Sequence, residues 1–282
     1  MIKSVPGLVW AFDVEWVPDP VAGRILHDLP WDTPDAQVMG EMWKKGGATP
    51  EEPYPFLKTA LCRIVSIAVV TRLAVGDKPA SLQLLSLPRN PADPTQAAED
   101  HILETFLTAL GDRRPMLVGY NSHAADLKAL IQRSVIRGIS AASFCRRPSK
   151  PWEGADYFSR GSDWNVDLKE ILSGWGQGSP SLHEMVVQCG IPGKMEVAGH
   201  QVGQMWLDGG LDRIVAYNEY DALTTYLLWL RIAHFGGFFT PERYQVEQQL
   251  VRELIQKELP QKPHLQLFLD KWEQLREITG AK

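Results

Sequence analysis

Asp13 and Glu15 stand two residues apart at the exit of the apolar run Leu8 to Phe12 (LVWAF). Strand side chains repeat every two residues, so both carboxylates face one side of a strand and can share a cation. Spacing alone says little, because 34 acids in 282 residues produce an acid-x-acid pair by chance about four times. Position says more: the carboxyl ends of core strands are where α/β sheets place ligand sites. A second acid, Asp126, follows the strand-like Met116 to Gly119 and the polar turn Tyr120-Asn121-Ser122-His123-Ala124-Ala125. It falls in the early turns of a helix striped by Leu127, Leu130, Ile131 and Val135 and closed by Gly138, with Asn121 or Ser122 as the expected cap. A third, Asp221, comes four residues after Tyr217, so the two share one face of a long helix marked by Leu211, Ile214, Val215, Leu223, Leu227 and Leu230. Tyr220 points elsewhere, and Asp167 reads only as the cap of the helix that follows it.

Other elements must position these groups. Arg63 to Val70 and Ser81 to Leu87 read as a strand pair across a Gly76-Asp77 turn, and Ile102, Leu103, Phe106, Leu107 and Leu110 read as a helix capped by Gly111. Seven prolines between Pro18 and Pro55 mark an irregular insertion, about residues 17–60, with at most short helices. Thr240-Pro241 opens a further helix containing Val246, Leu250, Leu254 and Ile255. Strands alternating with helices predict an α/β fold. The expected organisation is one domain over 1–238 and a helical extension over 239–282, which either covers the core or mediates dimers.

Composition bounds the function. With 44% hydrophobic and 22% charged residues the chain is an ordinary globular one, and a net charge of -5 excludes a general polycation. Cys62, Cys145 and Cys189 are too far apart for a disulfide framework or a cysteine zinc site, and no leader or membrane-length apolar run is seen, so a cytoplasmic protein is expected. Glycine-rich nucleotide loops and the serine elbow are missing, and His183-Glu184 lacks the second histidine of a zinc protease. One local charge stands out: Leu127 to Trp152 holds Lys128, Arg133, Arg137, Arg146, Arg147 and Lys150 and no acid, so it either holds substrate phosphates or is a solvated helix face with a basic loop.

Taken in order, Asp13-x-Glu15, Asn121-x4-Asp126 and Tyr217-x3-Asp221 resemble the three motifs of the DEDD superfamily of 3′-to-5′ exonucleases, in the tyrosine subclass. The run Phe12 to Asp19 looks like the opening of the stand-alone exonucleases related to the proofreading domain of family-B DNA polymerases. Gly190-Ile191-Pro192-Gly193-Lys194 and Tyr217 to Leu228 look like later parts of that group. The histidine subclass would place its histidine at position 216, which is Ala216. Two positions depart from the pattern: Ala125 stands where an aromatic is usual, and Trp16 where a small hydroxyl residue is common.

The resemblance implies a ribonuclease-H-like fold: a mixed five-stranded sheet, its second strand antiparallel to the others, flanked by helices. It implies two Mg²⁺ or Mn²⁺ ions, with Asp13 bridging, Glu15 and Asp221 on the water-bearing ion and Asp126 near the second. Tyr217 would orient the attacking water. The expected partner is a single-stranded nucleic-acid 3′ end, DNA favoured over RNA, with Trp16, Asn121, His123, Arg146 and Arg147 as candidate substrate contacts. For Trp16, core packing is slightly the favoured reading, and for His123 a surface position is. The alternatives are a catalytically silent nucleic-acid-binding module and an interaction scaffold built on the tryptophan-rich insertion.

Overall fold

The computed structural model describes all residues except 1, 77, 151–152, 160–161, 175–177, 196–198 and 281–282. Asp77 of the expected turn and Trp152 at the end of the cationic segment therefore lie outside the described residues. In chain order the elements are β1 (Leu8–Pro18), α1 (Pro20–Leu26), α2 (Asp35–Lys45), β2 (Cys62–Leu73), β3 (Ser81–Leu87), α3 (Glu99–Arg113), β4 (Met116–Gly119) and α4 (Asp126–Arg137). They continue with α5 (Ala142–Cys145), β5 (Asn165–Asp167), α6 (Leu168–Ser173), α7 (Leu182–Gln188), α8 (Val202–Leu207), α9 (Leu211–Phe235), α10 (Pro241–Glu258) and α11 (Leu265–Thr279). Among the described residues the strands form one five-stranded sheet in the order β3-β2-β1-β4-β5. β2 runs antiparallel to both β1 and β3, while β4 and β5 run parallel to β1, so β2 alone is reversed.

The period of two along β1 divides its side chains between two cores. Trp10, Phe12 and Val14 pack with Ile102, Phe106 and Leu110 of α3 and with Leu127 and Leu130 of α4. Val9 and Ala11 point the other way, toward α9. α9 is buried along most of its length, with Tyr226, Leu228, Trp229 and Leu230 fully buried, and such a helix needs cover on nearly every side. α10 and α11 supply it: Val251, Phe268 and Trp272 join the same core as Val9 and Ala11. Arg72 of β2 adds a buried bidentate pair with Glu247 of α10, at 2.6 and 3.0 Å.

Several local expectations are corrected. β1 does not end at Phe12; twelve-residue β2 pairs with it as far as Pro18, so Asp13 and Glu15 lie within the strand. Gly111 is not a cap. The helix continues to Arg113, and Arg114 takes the left-handed turn at φ 48°. Gly111 instead permits close packing, since a Cβ there would lie 2.5 Å from the Phe144 nitrogen of α5. Val135 is 76% exposed; the buried face of α4 carries Arg133 and Ser134 in its place. Neither Asn121 nor Ser122 caps α4, whose cap residue is Ala125 with no side-chain hydrogen bond. Gly138 does close α4 in the left-handed conformation.

Candidate metal centre

The three acid motifs reach one place by different routes. On β1, Asp13 and Glu15 continue the face of Val9 and Ala11 and therefore look toward α9. Tyr217 and Asp221, one turn apart on α9, look back, and the Tyr217 side chain is hydrogen-bonded to Asp221. Carboxylate oxygens of Asp13, Glu15 and Asp221 all lie within 4.8 Å of one another. β4 pairs with β1 only through Ala11 and stops at Gly119, which leaves the β1 edge uncovered beyond that point. Asp126, the first residue of α4, fills the gap and accepts a hydrogen bond from the Val14 backbone N–H.

The turn that delivers Asp126 is tightly fixed. A Cβ on Gly119 would come within 2.5 Å of the Ser122 side chain, so only glycine admits the close return of the chain. Asn121 takes a left-handed φ of 65°, and its N–H donates to Asp167 Oδ1 at 2.8 Å. Asp167 does cap α6, accepting from the Lys169 and Glu170 N–H groups, but it also clips the Asp126 turn through the Asn121 and His123 N–H groups. Its role as a clamp is not visible in the local sequence, because the groups it holds are more than forty residues away.

Electrostatics mark the cluster. Burial raises Asp13 well above the usual carboxylate range, and the charges of Asp126, Asp221 and Glu15 raise it further; Glu15 is raised for the same kinds of reason. Burial lifts Asp126 to about 7 even though backbone N–H groups pull it down. Burial lifts Asp221 to about 6, against the lowering effect of the Tyr217 hydrogen bond and the Lys194 charge. The Tyr217 phenol is driven far above its ordinary value by burial and by its acidic neighbours. Lys194 is a contributor that motif spacing did not single out for charge. Its segment is held in place by two hydrogen bonds, from the Thr224 hydroxyl to the Pro192 carbonyl and from the Lys194 N–H to His183 Nδ1.

A cleft of about 370 Å³ opens over the acids. Asp13, Glu15 and Asp126 line it together with Trp16, Trp43, Tyr54, Phe56 and Asn121. The insertion thus contributes Trp43, Tyr54 and Phe56, which sequence reasoning left unassigned. Trp16 and Ala125 border the same cleft, so the bulk missing at 125 is matched by bulk at 16. The remaining candidates lie elsewhere. His123 turns toward Asp167 and Glu170. Arg147 pairs with Asp156 at 2.9 Å, Arg137 is paired with Asp100, and Arg133 is buried against Glu99 and Asp19. Arg146 is exposed. The acid-free segment is thereby largely compensated by acids outside it and does not form a free basic track.

The donor set fits hard divalent cations. All the convergent groups are carboxylate oxygens, and their raised protonation reflects burial first and mutual repulsion second, both of which a bound cation would offset. The sheet order, with acids gathered where the central strand outruns its parallel neighbour, defines a ribonuclease-H-like fold bearing an acidic centre. A family profile described as "Predicted 3'-5' exonuclease related to the exonuclease domain of PolB" matches residues 54–272, and the chain belongs to that family. The matched region holds Asp126, Tyr217 and Asp221 but begins after Asp13 and Glu15, which the pairing of β1 brings to them. A family B DNA polymerase from the hyperthermophilic archaeon Pyrobaculum calidifontis is a similar solved structure, with 17% identity and a TM-score of 0.45 over 78% of this chain and 24% of that one. The chain spans about a quarter of that polymerase's length. No functionally curated protein matches the chain. Among the described residues, no helix is long and apolar enough to cross a membrane.

Proposed function

We propose that this chain is a 3′-to-5′ exonuclease that hydrolyses terminal phosphodiester bonds of single-stranded nucleic acid. One observation carries the reading: Asp13, Glu15 and Asp221 converge within 4.8 Å beside Asp126, and Asp13, Glu15 and Asp126 line a cleft together with Trp16, Trp43, Tyr54 and Phe56. DNA is favoured over RNA, supported by the family's relation to a DNA polymerase exonuclease domain.

Asp13, Glu15 and Asp221 would hold one Mg²⁺ or Mn²⁺ ion, and Asp126 with Asp13 the second. When bound, the ions lower the pKa of a coordinated water and offset the charge gathering on the phosphate. Tyr217 keeps its proton and is not a base; it donates its one O–H to Asp221 and orients the attacking water by accepting from it. Trp16 and the exposed Phe56 offer ring faces on which an unpaired terminal base can stack, a contact that tolerates any base. Asn121 lines the same cleft and is the polar side chain assigned to the terminal sugar.

The test uses 5′-labelled DNA and RNA strands of one sequence, incubated with Mg²⁺, Mn²⁺ or EDTA and compared with Asp13→Ala. The expected result is a ladder shortening from the 3′ end, abolished by EDTA and by the substitution. If the folded protein binds both strands and cuts neither, it is instead a silent binding module.

A further inference from the structure

A second group of ligand-type side chains lies on the far side of the Asp126 turn. His123 projects from that turn, Asp167 ends β5, and Glu170 follows in the first turn of α6. His123 Nδ1 lies 3.3 Å from a Glu170 carboxylate oxygen and 3.8 Å from Asp167 Oδ2. Ligand atoms of all three fall within 4.8 Å of one another. A tetrahedral shell with metal–ligand bonds near 2.0–2.1 Å has edges of about 3.3 Å, so these separations need little adjustment to enclose an ion.

An independent feature points the same way. The His123 side chain is only 10% exposed, and neither of its ring nitrogens makes a hydrogen bond among the described residues. A buried imidazole without such bonds is costly, whereas an imidazole nitrogen facing two carboxylates is arranged as a metal ligand. Asp167 Oδ2 accepts one bond, from the His123 N–H at 3.1 Å, which leaves it a free lone pair. Asn165 Nδ2, another buried donor lacking a hydrogen bond, lines the same 270 Å³ pocket and is available to the oxygen of a water completing the shell.

We propose that His123, Asp167 and Glu170 form a binding site for a divalent transition ion of the Zn²⁺ class, separate from the all-carboxylate centre. Mixed imidazole and carboxylate donors suit Zn²⁺, whereas the oxygen-only centre suits Mg²⁺ and Mn²⁺. The ion would staple the turn carrying Asn121 and Asp126 to the start of α6, adding to the backbone clamp that Asp167 already makes. This site rests on its own geometry and stands whether or not the chain cuts nucleic acid.

The experiment takes the full chain carrying Asp13→Asn, which weakens the acidic centre, dialyses it against Zn²⁺, and measures retained zinc and its X-ray absorption spectrum. About one equivalent should remain and show imidazole scattering, and because the acidic centre holds no histidine among its described side chains, loss of that scattering on His123→Ala assigns it to this site. Adding His123→Ala should remove both the equivalent and the signature. Glu170→Gln, at a half-exposed side chain, should weaken retention about tenfold or more, in line with losses on disturbing a ligand shell. Zn²⁺ should also raise the melting temperature of the Asp13→Asn chain and leave the His123→Ala chain unmoved. Retained zinc without imidazole scattering, equal retention after His123→Ala, or no retention by a chain whose circular dichroism is native would each overturn the site.

Discussion

At the residue scale, the two ends of α9's active face depend on each other. Tyr217 keeps its proton because burial and the neighbouring carboxylates oppose a phenolate, and that proton is spent on Asp221. The Asp221 carboxyl, at about 6, is held down from a still higher value by this bond and by Lys194. Tyr217→Phe should therefore do two things: lower kcat by about 10²-fold, within the usual range for losing one positioned donor, and move the acid limb of the pH–rate profile upward. Upward is the required sign, because the removed bond favoured the charged form. Steady-state kinetics between pH 5.5 and 9 at one fixed Mg²⁺ concentration below saturation, where protons compete with the ion for Asp221, would read both effects, and an unmoved acid limb would separate Tyr217 from Asp221. Lys194→Met should shift that limb in the same direction while leaving the phenol in place.

Asp13, Glu15, Tyr217 and Asp221 were singled out in the sequence by the order of three motifs and the resemblance that order carries; local periods say only that Asp13 and Glu15 share one strand face and Tyr217 and Asp221 one helix face. Asp167 and Arg133 were not, for a physical reason. Asp167 looks like an ordinary cap because its second pair of donors comes from a distant turn. Arg133 looks like part of a solvent-facing basic stripe because its acids, Glu99 and Asp19, are supplied by α3 and by the end of the β1 segment.

At the element scale, Arg133 fastens α4. Its guanidinium gives bonds of 2.7 and 2.6 Å to Glu99 and one of 2.8 Å to Asp19, and Glu99 also accepts the Ile64 N–H of β2. One buried cation therefore ties the helix that opens with Asp126 to α3, to β2 and to the start of the insertion. Removing it leaves two acids buried without their partner, which typically costs about 3–5 kcal/mol. Arg133→Met should show that loss in urea denaturation, while Lys128→Met, on the exposed side of the same helix, should stay within about 0.5 kcal/mol of the parent. Equal midpoints for the two variants would mean that α4 is held by its apolar face alone. The existence of α4 and its closing Gly138 followed from periodicity, but its seating did not: the pattern put Val135 inwards, and the ion pair turns the helix so that Arg133 is buried instead. Likewise Gly111 was read from its local position near a helix end, whereas its role is to admit the α5 backbone.

At the scale of the whole molecule, the acidic centre opposes folding when it is empty of cations. Asp126 near 7 and Asp221 near 6, with Asp13 and Glu15 also raised, all exceed the value of about 4 expected of the unfolded chain. Groups with raised folded-state values contribute stability that is complete below the unfolded value and is lost as pH rises through the folded one. The metal-free protein should thus melt higher at pH 5.5 than at pH 8, by about 2–4 °C for each kcal/mol involved. Glu219 works in the opposite sense, but not in this window. Burial would raise it, yet His264, Lys262 and Ser86 bring it below the ordinary glutamate value, so its contribution is lost only under stronger acid. Mg²⁺ or Mn²⁺ at pH 8 should restore what deprotonation removes, since ions that bind only the folded centre stabilise it by mass action. Asp13→Asn, which removes one charge from the middle of the cluster, should raise the pH 8 melting temperature in EDTA and flatten the slope between pH 5.5 and 8. Melting curves in EDTA that stay level or fall on acidification across this range would show that burial and mutual repulsion do not raise these four carboxylates in the folded chain.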